Sequence, residues 1–157
     1  MKKIITYIFL IFILLSLSSC SQKSTVKEST ETNAEQKTQE DIINITEKLY
    51  VTYINEIYTN TSDYVGKTIK IEGMFTYEEA KNQKYYYVYR TGPGCCGNDG
   101  SMCGFEFTYD KGYPNKNDWI EVIGKLRTYD EGGYTYLTLD AESVTVKQEH
   151  GAETVYN

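Results

Sequence analysis

Two runs decide the fold: Thr68-Ile69-Lys70-Ile71-Glu72-Gly73-Met74-Phe75 and Trp119-Ile120-Glu121-Val122-Ile123-Gly124-Lys125-Leu126. Each alternates with period two, the spacing of a strand with one face buried. Ile69, Ile71 and Phe75 share one face of the first run; Ile120, Val122 and Leu126 share one face of the second. Both carry an interior glycine, Gly73 and Gly124. A glycine there marks a bulge or a corner, so the sheet is expected to bend sharply. Three further runs complete the set: Tyr85 to Arg90, Phe105 to Tyr109, and Tyr134 to Leu139, the last extended by Ser143 to Val146. Tyr129-Asp130-Glu131-Gly132-Gly133 reads as a hairpin turn.

Five strands with sharp bends predict a mainly β domain, a small five-stranded barrel of the oligonucleotide/oligosaccharide-binding (OB) kind. The link from Asp110 to Asp118 lies where such a barrel often carries a helix. A flat meander or a small sandwich is the alternative. Ahead of the strands, Ile54, Ile57 and Tyr58 fit one short N-terminal helix ended by Asn60-Thr61-Ser62-Asp63, although Lys48 to Val51 suits a short extended piece equally.

The N-terminus reads as an address. Lys2 and Lys3 precede an apolar run from Ile4 to Leu15, and Leu17-Ser18-Ser19 forms a small-residue cleavage zone. The run is shorter than the ~20 residues of a spanning helix. The next residue is Cys20, which matches the Leu-Ser-Ser-Cys pattern of bacterial lipoprotein signals. That match implies acylation of Cys20, which then holds the chain on the membrane outside the cytoplasm. From Ser21 to Asp41 only Val26 and Ala34 are apolar, too little to offset the entropy of ordering. The expected organisation is a signal peptide over 1–19, a lipid-anchored flexible linker over 20–41 and the barrel over 42–157.

Charge excludes one class of partner. Without Lys2 and Lys3 the chain keeps 14 of its 16 basic residues against 22 acidic ones, a net charge of about −8. Nucleic-acid binding needs a basic face, and none is visible. Cations, or a basic patch on a protein, are the better complements.

The remaining three of the four cysteines lie close together between the second and third predicted strands, in Arg90-Thr91-Gly92-Pro93-Gly94-Cys95-Cys96-Gly97-Asn98-Asp99-Gly100-Ser101-Met102-Cys103-Gly104. Thiolates suit zinc and copper, so Cys95, Cys96 and Cys103 form a candidate metal site, with Asp99 the near fourth ligand and His150 the far one. A structural disulfide from Cys95 or Cys96 to Cys103 competes with it, as befits an oxidising exterior. A bond between Cys95 and Cys96 would span Cα atoms only ~3.8 Å apart, strained and easily reduced. Gly92 to Gly97 fits the text of a phosphate-binding glycine loop, but a strand follows where a helix is required. Glu78-Glu79 reads as a solvated turn, and His150 as a solvated residue near a loose C-terminus. No nucleophile–base–orienter set is visible, so an enzyme is not expected. The tyrosines read as core and sheet-face residues, an exposed subset being able to stack on a sugar or peptide.

Arg90, Cys95-Cys96, Asp99 and Gly104 stand at the intervals of a known pattern. Asp63 to Gly73 and Asp118 to Gly124 add a "Y-x-G-K-x-I-x-x-x-G" opening and a "W-x-x-V-x-G" strand. From Tyr50 to Val146 the chain resembles the C-terminal extracytoplasmic domain of a permease-subunit family of unknown function. The resemblance implies an OB-like barrel and work beside a membrane permease, in metal handling. Cys103 is not part of that pattern, and here a lipid anchor stands in place of membrane helices. The expected function is capture of zinc or copper by the Cys95/Cys96/Asp99/Cys103 loop. The alternative is an adaptor that uses its aromatic faces, with the cysteines as a staple.

Overall fold

A computed structural model describes residues 42–93 and 100–156. Six strands are present: β1 (Ile43–Ile45), β2 (Thr68–Ala80), β3 (Gln83–Gly92), β4 (Ser101–Thr108), β5 (Trp119–Glu131) and β6 (Tyr134–Val146). Between β1 and β2 run a 3-10 turn (Glu47–Leu49), helix α1 (Tyr50–Thr59) and a helical turn, α2 (Thr61–Tyr64). Five strands close on themselves in the order β2-β3-β4-β6-β5 and back to β2. Four contacts are antiparallel; β4 and β6 run parallel. This is the expected mainly β, OB-like five-stranded barrel with a short helix ahead of it. β1 is an unanticipated addition, pairing parallel to β2 through Ile43–Ile69 and Ile45–Ile71.

The two glycines do what strand-interior glycines do. β2 pairs with β5 over Thr68–Met74 and with β3 over Met74–Ala80, and Gly73 sits at the changeover. A Cβ there would stand 2.4 Å from the Tyr89 carbonyl oxygen. Gly124 flanks the bulge between β5 and β6, where the register slips at Ile123. The inward rows meet as predicted: Ile69, Ile71, Phe75, Val88, Phe105, Phe107, Ile120, Val122, Leu126 and Leu139 are all buried. Helix α1 adds Tyr50, Ile54 and Ile57 to that core.

Several expectations change. The link 109–118 has no helix; Tyr113 fills the space instead, its ring stacked on Tyr86 with centroids 3.5 Å apart. Glu78 and Glu79 belong to the end of β2, and the turn is Lys81-Asn82, both at positive φ. Two successive left-handed residues suit the twist of a tight hairpin. The hairpin after Glu131 uses Gly132 and Gly133 in the same way. Nor is the C-terminus loose. The Thr91 amide donates to the Glu153 carbonyl (2.8 Å), the Val155 amide donates to the Thr91 carbonyl (2.9 Å), and Val155 is buried. No helix among the described residues is long and apolar enough to cross a membrane.

Candidate functional site

The cysteine region divides at the edge of β4. Cys95, Cys96 and Asp99, like Cys20, lie outside the described residues. Cys103, read from sequence as part of the loop, belongs to β4 and is buried opposite Arg90. It carries a free thiol, which burial pushes up in pKa. Pairing of β3 with β4 continues to Gly92–Ser101, so the intervening stretch springs from a rigid stem. Among the described residues no group of three or more His, Cys, Asp or Glu side chains is arranged to hold a metal. His150, the far ligand candidate, stacks on Trp119 with centroids 5.5 Å apart.

Arg90, the first residue of the motif, is a structural clasp. It is 3 % exposed. Its Nε donates to the Glu72 carbonyl (3.0 Å), and its Nη1 donates to Glu47 Oε2 (2.8 Å) and the Ala152 carbonyl (3.1 Å). The guanidinium lies 4.8 Å from both the Tyr50 and Trp119 ring centres. Glu47 also accepts from the Ala152 amide at 2.8 Å. That amide and Arg90 hold the Glu47 carboxyl below its usual pKa. Thus Arg90 ties the 3-10 turn, β2 and the C-terminal tail together.

The barrel's outer face forms a different site. Residues paired across strands point to the same face. Tyr87 of β3 lies opposite Glu106 of β4, Glu106 beside Thr138 of β6, and Tyr136 of β6 opposite Tyr129 of β5. β4 and β6 pair only at Glu106–Thr108 with Thr138–Asp140, so they part on the N-terminal side of those residues. Beyond Leu126, β5 pairs with β6 alone and the two form a projecting hairpin arm. Two tyrosines tie this arm to the barrel: Tyr129 OH donates to Glu106 Oε2 (2.7 Å), and Tyr85 OH donates to the Glu131 carboxylate (2.9 and 3.0 Å).

The result is a cleft in two compartments that share Tyr87, Glu106 and Tyr136. One, of about 460 Å³, is bounded by Tyr58, Met102, Gly104 and Leu137. The other, of about 320 Å³, is bounded by Glu78, Lys81, Tyr85, Tyr129 and Glu131. Burial raises the Glu106 pKa, and the neighbouring Glu131 charge adds to the rise; Tyr129 and the Arg127 charge oppose it. Arg127 itself is engaged by Asp140 at 2.6 Å. The Tyr87 hydroxyl is pushed up to about 12, chiefly by burial. Thr138, beside Glu106, is fully buried and its hydroxyl has no hydrogen-bond partner.

A closed OB-like barrel with an aromatic, acidic cleft on its outer face thus defines the class of this protein. The chain belongs to the DUF1980 C-terminal domain family, whose model matches residues 20–157. No curated protein matches it. Sequence reading grouped the tyrosines as core and sheet-face residues, with an exposed subset able to stack on a sugar or peptide, and did not single out which ones. The signal that was available is the alternation Tyr85-Tyr87 with Glu106 and Tyr129-Glu131 on the outward rows.

Proposed function

We propose that this chain is a binding module without catalytic activity, anchored to the membrane through acylated Cys20 and facing outside the cytoplasm, whose ligand seat is the tyrosine–carboxylate cleft. One observation carries the reading: the face of an OB barrel used for ligands, between its first and last hairpins, is here a cleft lined by tyrosines and three carboxylates. Aromatic walls supply stacking area, and a few convergent polar groups supply orientation, as a ligand seat requires. The resemblance to a permease-subunit family suggests a role beside a transporter. An amide NMR screen of the full chain in detergent micelles, with peptide, amine and oligosaccharide probes, tests it. Expected perturbations fall on Tyr85–Tyr89, Gly104–Thr108 and Thr128–Leu137; probes that move none of these overturn the reading.

A second reading, capture of zinc or copper by Cys95, Cys96, Asp99 and Cys103, is favoured by the stem. Cys103 borders a space of about 280 Å³ with Asn55, Pro93 and Ser101. Burial raises the pKa of the Cys103 thiol, and a bound cation would stabilise its thiolate and displace the proton to solvent. Native mass spectrometry of the full chain, purified without chelator or reductant, decides. A zinc or copper adduct with reduced thiols supports the reading. Metal-free protein lighter by ~2 Da, the two hydrogens lost per disulfide, makes the cysteines a staple instead.

A further inference from the structure

Resting on the cleft as ligand seat, we infer that its occupant is a positively charged peptide segment, with a lysine or arginine side chain seated between Glu106 and Glu131. Elsewhere on the barrel four carboxylates have cations: Glu47 has Arg90, Glu121 has Lys70, Glu79 has Lys84 and Asp140 has Arg127. Among the described residues Glu106 and Glu131 accept from tyrosine hydroxyls and have no salt-bridge partner, and the Glu131 charge repels that of Glu106. Glu78 borders the same compartment, and Lys81 is the one basic residue lining it. Arg127, whose charge also acts on Glu106, makes its ion pair with Asp140. A charge left partly buried without a counter-ion is an incomplete pair, and a ligand cation completes it. Tyr85, Tyr129 and Tyr134 around it offer the ring faces that ammonium and guanidinium groups favour.

The other compartment says what carries the cation. It mixes apolar and polar walls: Met102 is 45 % and Tyr136 43 % exposed, Tyr58 and Leu137 join them, and Thr61, Thr128 and Thr135 supply hydroxyls. Methionine surfaces accommodate varied apolar side chains. Along its walls, β4 over Ser101–Phe105 and β6 over Tyr134–Leu137 each pair with a strand on one side only. Main-chain donors and acceptors therefore face the gap, where a peptide backbone meets them. A neutral glycan stacks on the same tyrosines but leaves the repulsion between Glu106 and Glu131 in place. The charge separates the two ligands.

The test titrates the full chain in detergent micelles with acetyl-Lys-Leu-Lys-Leu-amide, its Glu-Leu-Glu-Leu counterpart and a neutral glucose hexasaccharide, followed by amide NMR. The lysine peptide is expected to shift Tyr85–Tyr89 and Glu106, to weaken with added salt, and to lose about tenfold in affinity in Glu106→Gln/Glu131→Gln. Equal binding of the glutamate peptide, or undiminished binding to the double variant, overturns the inference. Hexasaccharide shifts at the cleft without peptide shifts overturn it too, yet leave the cleft as a seat. Silence from all three probes removes both.

Discussion

Arg90 and Glu106 both sit where charge meets aromatic rings, and of the two only Arg90 is in an ion pair among the described residues. Arg90 donates to Glu47 and to the Glu72 and Ala152 carbonyls, and its guanidinium lies against the faces of Tyr50 and Trp119, whose own polar atoms are buried without a hydrogen-bond partner among the described residues. Around Glu106 the polar partner is one tyrosine hydroxyl, with a second carboxylate nearby. A charge-paired network of several partners rigidifies; removing one member strands the others. A carboxylate set beside another carboxylate is instead left for a ligand cation to pair. The Arg90 clasp is thus architecture, although it opens the motif that drew attention to the cysteines, and the cleft is where recognition is to be sought.

Replacing Arg90 breaks the comparison most violently. In Arg90→Met the half-exposed Glu47 keeps the Ala152 amide, but the part-buried Glu72 and Ala152 carbonyls lose their donor. Loss of one partner from such a network costs about 3 kcal/mol, read as a lower urea midpoint. Arg90→Lys recovers only part, because an ammonium cannot serve three acceptors in a plane. If Arg90→Met unfolds like the wild type, the foot is not a clasp. A smaller effect tests the arm. Tyr129→Phe removes one hydrogen bond to Glu106 at the partly exposed cleft, at about 1 kcal/mol, and Tyr85→Phe, which loses its bond to Glu131, is expected to cost less. A loss as large as that of Arg90→Met would make the cleft architecture as well.

The barrel was legible because its evidence is periodic: alternation along Thr68–Phe75 and Trp119–Leu126 fixes which face is buried, and Gly73 and Gly124 mark the bends. Strand lengths were not legible. Cys103 was read as a loop residue because glycines and prolines surround it, yet pairing with β3 carries the strand to Ser101. Helix α1 showed in Ile54 and Ile57, whereas β1 is three residues long and owes its form to β2. The docking of the C-terminal tail rests on Thr91 and Arg90, far away in sequence, and nothing local announces it. The cleft was hidden for the same reason. Glu106 and Tyr129, or Tyr85 and Glu131, meet only because β4 and β6 are parallel neighbours in a closed barrel.

The gentlest way to sharpen the comparison is pH, because the two sites titrate in opposite senses. Glu47 lies below its usual value of 4.5 in the folded chain, through the Ala152 amide and then Arg90. Its stabilisation is present above that value and fades as pH falls through the lowered one. Glu106 lies above 4.5, chiefly through burial. Folding favours its protonated form, so its contribution is full below 4.5 and is lost as pH rises through the raised value. Urea midpoints measured across the acidic range are therefore expected to fall less steeply toward low pH in Glu47→Gln than in wild type. In Glu106→Gln they are expected to decline less as pH rises from 4.5. A Glu106→Gln curve parallel to wild type above 4.5 would mean that the carboxylate is already neutralised in the free protein. A bound lysine peptide should produce that parallel behaviour in the wild type, since the cation restores the charged form of Glu106 and returns its pKa toward the ordinary value.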